Sequence, residues 1–200
     1  MTVRIKNKSV VVGPEIIPLS DFPILVRNHL SKYPKTLCLE EDGHNLINSN
    51  FNEKKLIEFI RGVCKWGGYA GIATRVIKRN SISNIQNTFR NAVNELEQDI
   101  FDVREVLFRI NQFKGLGTPS FASKHLRFLR PDLCPILDKI ISEKMDYDFD
   151  PQGYKNLIDD LIDISKILMA DKIENPMGRK QGRWFIADIE MSIFSKIKNL

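Results

Sequence analysis

A chain of 200 residues with 42% hydrophobic side chains can bury one well-packed core, which excludes a disordered chain. No apolar run approaches the roughly 20 residues of a membrane span, and residues 1–6 lack the apolar region of a signal peptide. The net charge of +5 is modest and identifies no partner by itself. We therefore expect a soluble, monomeric protein of the bacterial cytosol without membrane contact, folded as a single domain over residues 1–200.

The cysteines and histidines form no pattern typical of a metal site. The cysteines are Cys38, Cys64 and Cys134, which give neither an even disulfide set nor a C-x-x-C pair, and this favours reduced, largely buried thiols. The three histidines lack H-x-x-x-H spacing. The sequence thus predicts no bound metal.

Charge is distributed unevenly along the chain. Residues 59–94 carry six cations and no acid, and residues 106–131 carry five cations and no acid. Residues 148–174, in contrast, hold seven acids against three lysines. Two purely basic segments indicate a surface for a polyanion, although an ordinary solvated surface would also accommodate them.

The periodicity of apolar residues indicates a mostly α fold. Short β-branched runs around Gly13-Pro14 predict one or two extended segments within residues 1–18. Residues 36–50 are polar and their structure is ambiguous. Apolar residues at helical spacing predict helices over 22–32, 53–66, 83–97, 103–113, 119–129 and 139–145, from 151 to about 168, and from about 183 to the end. Capping residues precede several of them, among them Asn52 before the helix over 53–66 and Asp150 before the helix that begins at 151.

A glycine-rich turn, Lys114-Gly115-Leu116-Gly117-Thr118, joins the predicted helices over 103–113 and 119–129. The glycines permit positive φ and close backbone approach, Leu116 would point back between the helices, and Thr118 with Pro119 would begin the second helix. The start of that helix offers N–H groups and a positive dipole end to a phosphate. Lys124 and Arg127 are expected on the phosphate side of the helix, opposite its apolar stripe.

The turn, the helix and the sequence Pro135-Ile136-Leu137-Asp138 together resemble the helix-hairpin-helix DNA glycosylases (the HhH-GPD superfamily), most closely the adenine and 8-oxoguanine branches. Residues 103–146 carry the resemblance, with the hairpin at about 103–130. The resemblance implies two helical lobes around a cleft, into which an altered base is flipped from double-stranded DNA. It also implies that Asp138 is the catalytic carboxylate and that the hairpin holds phosphate, in some members through a monovalent cation. The implied DNA-contact residues are Lys114, Gly115, Leu116, Gly117, Thr118, Ser120 and Arg127.

The chain departs from the family pattern in two ways that bear on chemistry. Bifunctional members carry a Schiff-base lysine four residues after the first hairpin glycine, where this chain has Pro119. This favours a monofunctional enzyme, and Lys124, deeper in the helix, would be the catalytic amine only in a rearranged pocket. The four-cysteine iron–sulfur cluster of some relatives has no counterpart here. We expect no cofactor beyond a monovalent cation at the hairpin.

An ionised carboxylate stabilises the oxocarbenium character that develops when an N-glycosidic bond breaks, which suits Asp138. The same residue would also cap the helix that follows it. The candidates for stacking on a flipped base are aromatic residues, each of which would also suit a core position: Trp66, Tyr69, Trp184 and Phe185.

The sequence thus predicts a DNA glycosylase of base excision, in repair or in defence against phage DNA. Two other classes stay open. One is a catalytically silent module that binds DNA through the same hairpin. The other is an interaction subunit whose basic segments bind an acidic protein.

Overall fold

The computed structural model describes residues 3–6 and 8–200 and confirms the predicted mostly α fold. The chain forms two compact units. Unit 1 comprises the described residues of Met1–Pro34 together with Pro131–Leu200, and unit 2 comprises Lys35–Arg130. The assignment of one domain to the whole chain stays a prediction. The helices are α1 (Phe22–Lys32), α2 (Thr36–Asn48), α3 (Glu53–Trp66), α4 (Gly71–Arg79), α5 (Ile82–Leu96), α6 (Val103–Asn111), α7 (Pro119–Leu129), α8 (Lys139–Met145), α9 (Pro151–Ala170) and α10 (Ile186–Lys198).

The start of unit 1 is a three-stranded antiparallel sheet in the order β1-β2-β3. Its strands are β1 (Val3–Lys6), β2 (Ser9–Val12) and β3 (Glu15–Pro18). Val10 lies opposite Ile17 in the register, and both are fully buried. The sequence predicted only one or two extended segments, because strands of four residues separated by tight turns give a weak periodic signal.

Helix α10 is the central helix of unit 1. It packs against α1, α8, α9 and β3. Residues 186–195 are buried on every side of the helix. The buried carboxylate of Asp188 is neutralised by Arg179, whose Nη2 lies 2.7 Å from Oδ1, and it accepts a further hydrogen bond from Asn175 Nδ2 at 2.7 Å. This pairing fixes the segment before α10, because an unpaired charge at such a buried position would be costly.

Helix α7 has the corresponding place in unit 2. It packs against α2, α3 and α6, while α5 packs on α3 and α6, and α4 packs on α3. Residues 121–129 are all buried, including Lys124, His125 and Arg127. A helix buried on every face has to satisfy its polar side chains internally, and α7 does so with neighbours from its own unit.

The capping residues predicted from the sequence mark the observed starts of several helices. The cap of α3 is as predicted, since Asn52 Oδ1 accepts hydrogen bonds from the N–H groups of Lys54 and Lys55 at 3.1 and 3.3 Å. Asp150 likewise caps α9. The ambiguous residues 36–50 contain a helix, α2, and α4 was not predicted. Their N-cap residues, Lys35 and Ala70, are not typical capping residues, so the sequence offers no start signal for either helix.

Cys64 and Cys134 are buried and Cys38 is exposed, so the expectation of buried thiols holds for two of the three. Burial raises the pKa of the Cys64 thiol to about 12, so this thiol stays protonated. Among the described residues, no helix is both long and apolar enough to cross a membrane.

His125 is a buried base in the centre of unit 2. Its ring stacks on Phe89 at a centroid distance of 5.6 Å, and Nδ1 lies 2.6 Å from the carbonyl oxygen of Phe121, to which it donates. Burial lowers the pKa of His125 to about 4, an effect opposed by the hydrogen bond to Phe121 and reinforced by the neighbouring charge of Lys124. His125 is therefore neutral in the folded protein at neutral pH.

We expect this histidine to make the fold sensitive to mild acid. The imidazole has a pKa of about 6.5 in the unfolded chain, so between pH 6.5 and 4 the unfolded state binds more protons and stability falls as pH falls. From about pH 7 to about pH 5 the loss is on the order of 2 kcal/mol. Urea denaturation at both pH values should show a smaller loss in His125→Asn than in the wild type. The exposed His44 provides the control, His44→Asn, and an equal pH dependence in all three proteins would contradict the assignment.

Candidate nucleic-acid interface and carboxylate site

The hairpin of unit 2 has the predicted form. Helix α6 ends at Asn111, α7 begins at Pro119, and the turn between them contains Gly115 at φ 93° and Gly117 at φ 98°. Leu116 between the glycines is only 1% exposed. The glycines are required because a side chain is strained at such φ values, and Leu116 anchors the turn in the core.

The outer side of the hairpin is open. Lys114, Gly117 and Thr118 are exposed, and no heavy atom of the described residues outside its chain neighbours lies within 4 Å of where a Cβ on Gly117 would stand. Thr118 occupies the N-cap position of α7, yet within residues 3–6 and 8–200 its side chain accepts no capping hydrogen bond. The positive end of the α7 dipole therefore lies beside a surface with room for an anion.

Arg127 corrects one prediction, because it does not face a phosphate-binding surface. The residue is 0% exposed, its Nη1 lies 2.7 Å from Glu40 Oε1, and its guanidinium lies 4.5 Å from the centroid of the Phe128 ring. Helix α2 supplies Glu40, and no local pattern associates this residue with α7. Arg127 thus belongs to the core of unit 2 rather than to the set of DNA contacts.

Lys124 is also buried, at 7% exposure, so it does not lie on an exposed cationic face as expected. Its Nζ is 2.6 Å from Ser120 Oγ and 5.4 Å from the centroid of the Phe121 ring. A Cβ added to Gly67 would stand 3.2 Å from Lys124 Cδ. The amine is therefore held in a recess between the first turn of α7 and the end of α3, together with Ser120.

Two of the four aromatic candidates lie in unit 2 and differ in their surroundings. Trp66 donates a hydrogen bond from Nε1 to Thr36 Oγ1 at 3.2 Å, and its ring packs edge-on against Phe128. Tyr69 is 68% exposed, with its ring 6.0 Å from that of Phe121. Trp66 is thus engaged in packing, whereas Tyr69 presents an accessible ring near the start of α7.

The other two aromatic candidates lie in unit 1. Trp184 is 2% exposed, donates from Nε1 to Ile173 O at 2.7 Å and packs edge-on against Phe22. This corrects its assignment as a stacking residue, since both its ring and its N–H are used inside the core. Phe185, half-buried at the N-cap of α10, lies under the guanidinium of Arg179 at 4.5 Å.

Asp138 lies in unit 1 at the N-cap of α8, as predicted. Its Oδ1 accepts hydrogen bonds from the N–H groups of Ile140 and Ile141, both at 3.0 Å. The preceding residues 134–137 are buried, and Tyr154 donates from its hydroxyl to Pro135 O at 3.1 Å. Asp138 is half-buried, with a buried segment before it and helix α8 after it. Its carboxylate lies at the start of α8, where the helix dipole favours a negative charge.

Tyr33 of unit 1 lies close enough to Asp138 and Glu190 for both charges to act on it. Tyr33, at the end of α1, packs its ring 6.2 Å from that of Phe194, one helical turn beyond the buried Glu190 of α10. Burial raises the pKa of Tyr33, and the negative charges of Asp138 and Glu190 raise it further. Its phenol therefore stays protonated at neutral pH. The sequence missed Tyr33, because nothing local relates it to residue 138.

Comparison with known proteins found no match to this chain among protein-family models, curated proteins or solved structures.

Replacing Arg127 alone should destabilise unit 2. Arg127→Met leaves Glu40 with one buried cation fewer, and the loss of a partner from a buried ion pair costs roughly 3–5 kcal/mol. The double variant Arg127→Met with Glu40→Gln should recover most of that loss, because the remaining charge is then also removed. Urea denaturation measures both effects. Weaker DNA binding by Arg127→Met at unchanged stability would return Arg127 to the DNA-contact surface.

Proposed function

We propose that this protein is a DNA glycosylase that binds duplex DNA through its hairpin and hydrolyses the N-glycosidic bond of an altered, flipped base. The observation that carries the proposal is the position of Asp138 in the chain and the anchoring of its carboxylate. The residue follows α7 after a short buried segment, in the order hairpin, helix, Pro-Ile-Leu-Asp and helix that the DNA glycosylases share. Its carboxylate is also held rigidly by two backbone N–H groups, as a preorganised electrostatic catalyst should be.

Hydrolysis of the N-glycosidic bond requires chiefly that the protein place one negative charge near the sugar. The C1′–N bond breaks with its electron pair going to the base, water adds to C1′, and the base leaves with a proton. Positive charge develops on the sugar in the transition state, and an anchored carboxylate near C1′ stabilises it and can accept a proton from the attacking water. Asp138 is proposed for this role.

A silent DNA-binding module is the second candidate, and one observation favours it. Capping of α8 by itself accounts for an aspartate at position 138, since an N-cap aspartate contributes about 1 kcal/mol to helix stability. Both candidates use the hairpin in the same way. They differ only in whether replacement of Asp138 affects turnover.

Asp138→Asn should reduce base release by several orders of magnitude and leave duplex affinity within a few-fold of the wild type. Asparagine caps a helix as well as aspartate does, so the substitution removes charge from the transition state while α8 keeps its cap. Abasic-site formation on a panel of modified oligonucleotides is the measurement. Asp150→Asn is the matched control, because Asp150 caps α9 in the same unit, with Oδ1 2.8 Å from Gly153 N. If the wild type releases no base from the panel, or if the two variants behave alike, the silent module is the better description.

We further expect a monofunctional enzyme that leaves an intact abasic strand. Pro119 occupies the position of the lysine in bifunctional relatives, and its nitrogen is locked in the chain as the first residue of α7. Borohydride reduction should therefore trap no efficient covalent adduct with DNA that contains the substrate base. Efficient trapping that disappears in Lys124→Ala and persists in Lys114→Ala would contradict this and make Lys124 the nucleophile.

A further inference from the structure

Helix α4 is joined directly to the hairpin. The side-chain amide of Asn80, the residue after α4, pairs with the backbone of Lys114: Nδ2 donates to Lys114 O at 3.0 Å, and Lys114 N donates to Oδ1 at 3.1 Å. Asn80 Nδ2 also donates to Val76 O at 2.8 Å. One side chain therefore ties the last turn of α4 to the first residue of the hairpin.

The backbones of the two elements are also in close contact. A Cβ added to Gly115 would stand 2.8 Å from Arg75 Cβ and 3.3 Å from the Arg75 carbonyl carbon. Only a glycine allows this approach, in addition to its φ of 93°. The hairpin and α4 thus form one rigid structural element within unit 2.

The exposed side of α4 is strongly basic. Ile72, Ala73 and Val76 form its buried face, whereas Arg75, Lys78 and Arg79 are exposed at positions i, i+3 and i+4, which share one side of a helix. Among the described residues these three cations form no ion pair, whereas Lys155 and Lys166 on α9 each pair with an aspartate on their own helix. No acid occurs in residues 59–94.

We propose that α4 and the hairpin bind the duplex as a single phosphate-contacting surface, in which Arg75, Lys78 and Arg79 supply contacts beside Lys114 and Asn80 positions the hairpin. This inference rests on the proposed function, because it takes duplex DNA as the partner. A contiguous row of unpaired cations matches the sequence-independent charge of a DNA backbone. This surface takes the role that the sequence assigned to Lys124 and Arg127 on α7, which are buried and cannot contact phosphate.

The experiment measures the affinity of the full chain for an unmodified duplex over a series of salt concentrations. Each phosphate contact that is lost lowers the slope of log K against log salt by up to about 0.9. Lys114→Ala should lower the slope by the amount expected for one phosphate contact, and the pair Arg75→Ala with Arg79→Ala by the amount expected for two. The control pair, Lys54→Ala with Lys55→Ala, removes the same charge from exposed positions at the start of α3 and should leave the slope near that of the wild type.

Asn80→Ala tests the positioning role with a different readout. It removes no charge, so we expect a weaker affinity by the same factor at every salt concentration, with the slope retained; thermal melting checks that unit 2 stays folded. Unchanged affinity of a folded Asn80→Ala would overturn the positioning role.

The salt slopes test the α4 surface, whereas base release tests the proposed glycosylase activity. Equal slopes for the α4 pair and the control pair, with Lys114→Ala still effective, would overturn the α4 surface and leave the glycosylase proposal intact. If the slopes behave as expected but no modified base is released, the glycosylase proposal falls and the DNA surface stands. Absence of duplex binding by the wild type would overturn both.

Discussion

The burial of three ionisable side chains along α7 is the constraint on which the structure of unit 2 depends. Lys124, His125 and Arg127 follow one another within two turns of a helix that is buried on every face. Each requires a different solution: a serine hydroxyl within the same helix, loss of the proton, and an acid from α2. The ion pair of Arg127 with Glu40 links α7 to α2, whereas the hydrogen bonds of Lys124 to Ser120 and of His125 to Phe121 lie within α7. These partners are needed because a polar group at such a depth is costly without one.

Under the proposed function, this constraint also determines which surface of unit 2 contacts DNA. The cations of α7 are used internally, so the surface charge near the hairpin has to come from elsewhere, and α4 is the element that carries it. Unit 1 follows a similar plan, with Asp188 of its central helix α10 neutralised by Arg179 and Asn175. In both units the buried charges fix the architecture, while the residues proposed to act on DNA lie in the hairpin, on the exposed side of α4 and at the N-cap of α8.

The sequence predicted the features that depend on local chemistry. Asn52, Asp138 and Asp150 cap helices, and the hairpin glycines adopt positive φ, because these properties are decided within a few residues of the chain. The sequence could not predict that the cationic side of α7 is buried together with its apolar stripe, since Glu40, the partner of Arg127, lies far earlier in the chain. For the same reason it missed the contact of Asn80 with Lys114 and the influence of Asp138 on Tyr33. It also could not decide between base stacking and core packing for Trp184, which packs in the core.

The double role proposed for Asp138 has a consequence for how such a protein can evolve. An aspartate codon becomes an asparagine codon by one nucleotide change, and asparagine satisfies the start of α8 equally well. The folding of the chain thus exerts almost no selection on this position in favour of aspartate. Under the proposed function, an active lineage retains the residue only while base release itself is under selection, and a descendant that merely holds DNA is a single mutation away, with its fold intact.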